Sequence, residues 1–118
     1  GGAIVCAAEC SDGVPDNGDY KSILAAADGP QELLDMINSP GYGRHDQWQV
    51  QLQAQVQLKA DVYLKSRYLT NEQIRAAHLE PIEDVTETTL ELLERSGPNS
   101  QLCVLPQGPQ TIPYVASS

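Results

Sequence analysis

The sequence predicts an α/β domain, a parallel-sheet three-layer sandwich of Rossmann-like type, and two observations carry the prediction. Continuous apolar runs recur at residues 3–8, 62–64 and 102–105, the pattern of strands covered on both faces. Between them the apolar residues fall at helical spacing, and strands separated by helices assemble into a parallel sheet.

The first run, Ala3-Ile4-Val5-Cys6-Ala7-Ala8, is bounded by Glu9 and the turn-forming Ser11-Asp12-Gly13. Tyr20, Ile23, Leu24 and Ala27 then share one face of a helix. Pro30 is tolerated in the first turn of the next helix, which carries Leu33, Leu34 and Ile37 until Ser39-Pro40-Gly41 stops it. After the second strand, Val62-Tyr63-Leu64, Thr70 and Gln73 form a capping box for a helix running to about Leu79, with Leu69 and Ile74 as its hydrophobic staple. Asp84 and Glu87 start a further helix, with Val85, Thr89, Leu90 and Leu93 on its apolar side and Ser96-Gly97-Pro98 as its stop. Leu102-Cys103-Val104-Leu105 reads as the last strand, so the domain is expected to span residues 1–106, with 107–118 a tail whose prolines continue neither helix nor sheet.

One segment resists a simple period count. From Trp48 to Leu58 apolar residues and glutamines alternate strictly, which is formally a strand signal. Helix is nevertheless expected, because Gln, Leu, Ala and Lys are good helix formers and so long a strand would be unusual in a small domain. At about 100° per residue, Trp48, Leu52, Val56 and Ala60 form one stripe and Val50, Ala54 and Leu58 a nearly opposite one. Such a helix is apolar on two sides. One stripe can pack on the sheet while the other meets a second layer or a second domain, with the glutamines between them as neutral hydrogen-bonding groups.

Seven basic against sixteen acidic residues give a net charge of −9 over 118 residues, which repels a nucleic-acid backbone or an anionic membrane surface. No apolar run approaches the ~20 residues that span a bilayer, and no basic-then-apolar leader precedes the first strand, so a cytoplasmic protein is expected. Of the three cysteines, Cys6 and Cys103 fall in runs that read as buried strands, where thiols act as small hydrophobes, and a disulfide scaffold is not expected. The abrupt entry from Gly1-Gly2 into a strand reads as a piece of a longer chain.

Chemistry-bearing residues are sparse. His45, His78 and the cysteines match no zinc spacing, and two scattered histidines build no nucleophilic triad. His78 is expected to interact with the dipole at the end of its helix. Glu9 and Asp12 follow the first strand, where open α/β sheets bind ligands, although such residues also end strands for turn reasons. Tyr42 and Arg44 occupy a glycine-rich loop that could be a lid or a plain connector, and Asp46 suits the N-cap of the following helix. Trp48, the only tryptophan in a chain without phenylalanine, is either a core anchor or a ligand wall.

Gly1-Gly2-Ala3-Ile4-Val5, Ala8-Glu9-Cys10-Ser11-Asp12-Gly13, Asp46-Gln47-Trp48-Gln49, Asp61-Val62-Tyr63-Leu64 and Leu105-Pro106-Gln107-Gly108, in this order, resemble the C-terminal domain of the nickel-pincer lactate racemase family. The resemblance spans nearly the whole chain. It implies an incomplete fragment of a two-domain enzyme whose site lies between an N-terminal catalytic domain and this one. It also implies a nickel-pincer nucleotide, bound mainly by the N-terminal domain, and a small 2-hydroxy acid whose α-hydrogen leaves as hydride and returns on either face. No residue of this chain is expected to be catalytic or a metal ligand: neither His45 nor His78 matches a family position. Trp48 alone matches a position lining the cofactor and substrate cleft, with Asp46 and Gln49 as neighbours in the motif. The fragment by itself is expected to be inactive. Two alternatives stand beside this reading, a non-catalytic binding or regulatory module of the same fold and a free-standing nucleotide-binding protein.

Overall fold

The computed structural model describes residues 2–14, 18–114 and 116. Strand β1, Gly2–Ala7, pairs in parallel with β2, Ala60–Lys65, in the register Ile4 opposite Val62 and Cys6 opposite Leu64. A short β3, Glu80–Pro81, adds in parallel to the far side of β2, so the order is β1-β2-β3. Ile82 N–H extends that ladder to the Leu64 carbonyl at 3.0 Å. Helices α1 (Tyr20–Ala25), α2 (Pro30–Ile37) and α3 (Gln47–Gln57) lie between β1 and β2; α4 (Asn71–Ala76) lies between β2 and β3, and α5 (Val85–Ser96) follows and packs against β1. This is the expected α/β class with a parallel sheet.

The core sits among the helices. Ile23 and Leu24 of α1, Leu33 and Ile37 of α2, and Val50 and Ala54 of α3 form one buried cluster, against which Tyr20, Ala27, Leu34, Met36, Tyr42 and Ala77 pack. The apolar faces expected of the first two helices are therefore the ones that meet. The segment beginning at Trp48 is a helix, as its composition rather than its alternation requires. Its stripes part company: Val50 and Ala54 are 0% exposed, whereas Trp48, Leu52 and Val56 are 59%, 54% and 44% exposed. The buried stripe packs chiefly on α1 and α2, with the sheet a lesser contact, and Leu58 at its end lies half exposed.

Local signals hold at both later helices. The Thr70 hydroxyl accepts from Gln73 N–H at 3.1 Å while Thr70 N–H donates to Gln73 Oε1 at 2.9 Å, a closed capping box, and Ile74 is buried behind it. Thr70→Ala is expected to lower the unfolding free energy by about 1 kcal/mol, read from the midpoint of a urea titration. The helix stops at Ala76, short of Leu79, because Ala77 and His78 turn out of it, His78 with φ 62°. The Asp84 carboxylate caps α5 through Glu87 N–H at 2.8 Å, and Gly97 ends it at φ 90°, a conformation that favours glycine.

Two expectations about the strands fail, and one strand was not expected. Leu102–Leu105 is no strand: the segment is exposed and, among the described residues, joins no ladder, so its apolar run lacks the partner edge that alone makes a strand. The strand in its place is Glu80–Pro81, too short to show a period and ended by a proline, which an edge strand tolerates. Finally, β1 is an edge strand covered only in part by α5, so five of its six residues, Cys6 among them, are exposed, as is Cys103. All three cysteines are free thiols.

Candidate functional site

The connection from α3 to β2 is only Leu58-Lys59, so α3 runs back along the sheet and its first turn lies toward the carboxyl ends of the strands. That end is built from two loops in contact. The loop after β1 turns at Cys10 and Gly13, with Gly13 N–H on the Cys10 carbonyl at 2.9 Å, and is tied to the end of β2 by Ser66 Oγ donating to the Glu9 carbonyl at 2.9 Å. Its far end, Gly18, meets the loop before α3: a Cβ at Gly18 would lie 2.1 Å from Asp46 Oδ2 and 2.9 Å from the His45 ring. Gly18 has φ 82°, so this contact needs glycine twice over, for space and for conformation. Gly18→Ala is expected to cost about 1–3 kcal/mol of stability and to dislodge Asp46, measured as a fall in the urea midpoint with altered amide shifts at residues 45–48.

Asp46 occupies the N-cap position but does not cap. Its φ of 66° puts it in the left-handed region, where the side chain turns from the helix toward Gly18, and its Oδ1 lies 3.4 Å from His45 Nε2. Gln47 Oε1 instead accepts from Arg44 N–H at 2.8 Å, which closes the loop ahead of the helix, and no side chain caps the first-turn N–H groups. Arg44 is no mobile lid. Its guanidinium holds Asp19 at 3.0 and 3.3 Å and donates to Ser22 Oγ at 2.9 Å, clipping the loop to the start of α1. This hydrogen-bonded pairing keeps the Asp19 carboxyl below its ordinary range and raises Arg44. The clip therefore contributes above the ordinary aspartate value of about 3.9 and is lost as pH falls through the lowered one. Tyr42 packs against the core cluster.

Trp48 and Gln49 stand exposed on the first turn of α3, so the structure brings Asp46, His45 and Gly18 together beneath the loop and leaves the indole on open surface. Trp48 is thus not the core anchor of this chain. Glu9 and Asp12 lie at the same end of the sheet, both exposed; the Glu9 carbonyl also accepts from Tyr68 N–H at 3.3 Å. A groove of about 670 Å³ lies at the other end of the sheet, between Ala60 and Glu80, with Arg75, His78 and Arg95 on its walls. It includes none of Trp48, Asp46 and Gln49.

Among the described residues, no group of three or more His, Cys, Asp or Glu side chains converges to hold a metal ion. His78 serves structure: its Nε2 meets the Leu24 carbonyl at 2.8 Å, in the last turn of α1, so the helix end it addresses is that of α1 rather than its own. Sequence reasoning passed over Gly18, Asp19 and His45 as parts of this site. The signal available was the Gly18-Asp19 pair just before a helix, which reads locally as an ordinary turn.

Parallel strands joined through helices, with loops gathered at their carboxyl ends, make this an α/β domain of the open-sheet class. The chain belongs to the lactate racemase C-terminal domain family, whose sequence profile matches residues 1–112. It is 30% identical over 115 residues to a lactate racemase from Thermoanaerobacterium thermosaccharolyticum, covering 95% of this chain and 26% of that protein. The structure of the lactate racemase apoprotein from the same organism superposes with a TM-score of 0.67 at 26% identity, over 78% of this chain and 22% of that one. The chain therefore spans about a quarter of the length of the curated relative it matches.

Proposed function

We propose that this chain is the C-terminal part of a 2-hydroxyacid racemase of lactate type and forms one wall of a site shared with an N-terminal catalytic domain. The observation that carries the reading is the exposure of Trp48, at 59%, within a family-matched domain whose own core is closed without it. Trp48, Leu52 and Val56 form a contiguous apolar stripe along one helix, the kind of exposed patch that supports docking of another surface. The partner proposed for that stripe is the N-terminal domain of the same protein.

The cofactor proposed is a nickel-pincer nucleotide. The side chains here do not fit a metal cage, since no donor set converges among the described residues and His78 is engaged with Leu24. They fit a wall for a flat ring: Trp48 offers an indole face and Gln49 an exposed polar group on the same turn, while Asp46, turned toward Gly18 and His45, would hold the loop behind them. When bound, the group supplies the hydride-accepting chemistry at the substrate α-carbon. This chain's residues contribute binding and exclusion of water, which strengthens every polar interaction in the closed cleft. The proton of the substrate hydroxyl is handled outside this chain. The location proposed is the cytoplasm, where the free thiols of Cys6, Cys10 and Cys103 would stay reduced.

The test is chiral chromatography of single-enantiomer 2-hydroxy acids incubated with the full-length protein loaded with nickel cofactor. Conversion toward the racemate is expected. Enantiomers that stay pure across a panel of such acids, with cofactor bound, would overturn the proposal in favour of a non-catalytic module.

A further inference from the structure

Six glutamines alternate along α3 from Gln47 to Gln57, and the wall reading of Trp48 leaves most of them without a role. The apolar pattern of α3 does not decide which of its sides is buried. The stripe holding Trp48, Leu52 and Val56 is larger than the one holding Val50 and Ala54, so burial alone favours turning Trp48 inward. The observed roll is the reverse, with Val50 and Ala54 inside.

Two glutamines one turn apart account for it. Gln53 Nε2 donates to the Ala77 carbonyl at 2.6 Å and Gln57 Nε2 to the His78 carbonyl at 2.5 Å. The Tyr20 hydroxyl donates in turn to Gln53 Oε1, and burial raises the pKa of that phenol. These carbonyls lie within reach because the chain leaves helical geometry just after α4, and His78 pins the same corner to α1 through Leu24. On the helical wheel Gln57 lies about 180° and Gln53 about 140° from Trp48. Any roll that turned Trp48 inward would break these bonds and leave half-buried amides and carbonyls unpaired, a directional penalty that an apolar stripe lacks.

We propose that Gln53 and Gln57 are positioning residues that fix the roll of α3 and thereby aim Trp48 outward at the partner domain. This rests on the reading of Trp48 as a cleft residue. The glutamine ladder then has a division of labour: Gln47 closes the loop ahead of the helix, Gln53 and Gln57 set its roll, and Gln55 is a solvated position.

The experiment is fluorine NMR of the full-length protein labelled with fluorotryptophan, the Trp48 resonance being the one lost in Trp48→Phe. In Gln53→Met/Gln57→Met, which keeps side-chain length but not the hydrogen bonds, that resonance is expected to split or to shift by more than its line width. In Gln55→Met it should stay in place. An unchanged resonance in the double variant overturns the proposal, as does an equal shift in Gln55→Met. If the double variant does not fold, Gln57→Met alone is judged by the same criterion, since it leaves the Tyr20-Gln53-Ala77 chain intact. A resonance that responds as expected, combined with unaltered cofactor affinity in Trp48→Ala, would preserve the roll assignment and overturn the cleft reading.

Discussion

Trp48→Ala in the full-length protein is expected to weaken cofactor retention roughly thirtyfold while leaving the stability of this domain within about 0.5 kcal/mol of the parent. The first number follows from removing an indole face from a closed cleft, worth about 2 kcal/mol from apolar contact plus aromatic stacking. The second follows from the free chain, where the indole is 59% exposed and lies outside the buried cluster, so its truncation opens no cavity. The measurement is an equilibrium titration of the cofactor paired with a urea melt. A core tryptophan would give the opposite pattern, a large loss of stability with affinity falling only through unfolding. Finding that pattern would refute the wall assignment.

Leu33→Ala is expected to be the most damaging single truncation for folding, lowering the unfolding free energy by about 2–5 kcal/mol. Leu33 is fully buried where α2 meets α1 and α3, among Ile23, Leu24, Val50 and Ala54. These helices are held by that one cluster, and Ala54 already leaves little apolar bulk to collapse into the void. A small domain has about 5–15 kcal/mol in total, so the variant should retain a large unfolded fraction at modest urea, read by far-UV circular dichroism. Leu90→Ala on α5, where the side chain is 61% exposed, should barely move the midpoint.

Comparing the two truncations shows where sequence reading succeeds. Leu33 follows Pro30 at a spacing that puts it on one helical face with Ile37, and nothing beyond that spacing was needed to assign it to the core. The capping box at Thr70 and the Asp84 cap were legible for the same reason, since each is settled within four residues. Asp46 was not, because a cap needs a side-chain type and also a backbone conformation, and its left-handed φ is set by the loop packing against Gly18. Of the candidate site, residue identity pointed to Trp48, but its exposure depends on contacts more than twenty residues away, at Ala77 and His78 just after α4.

What the sequence determined by itself is the set of local decisions: the helices, the caps at Thr70 and Asp84 and the stop at Gly97, the first two strands, and an α/β class with a parallel sheet. These rest on periodicity and turn chemistry that act over one or two turns of chain. What only the tertiary structure decided is which surfaces meet. It chose Glu80–Pro81 rather than Leu102–Leu105 as the third strand, because a strand exists only where a neighbouring edge offers its hydrogen bonds. It turned the smaller apolar stripe of α3 inward and the larger outward, because hydrogen bonds from Gln53 and Gln57 to distant carbonyls carry a direction that hydrophobicity does not.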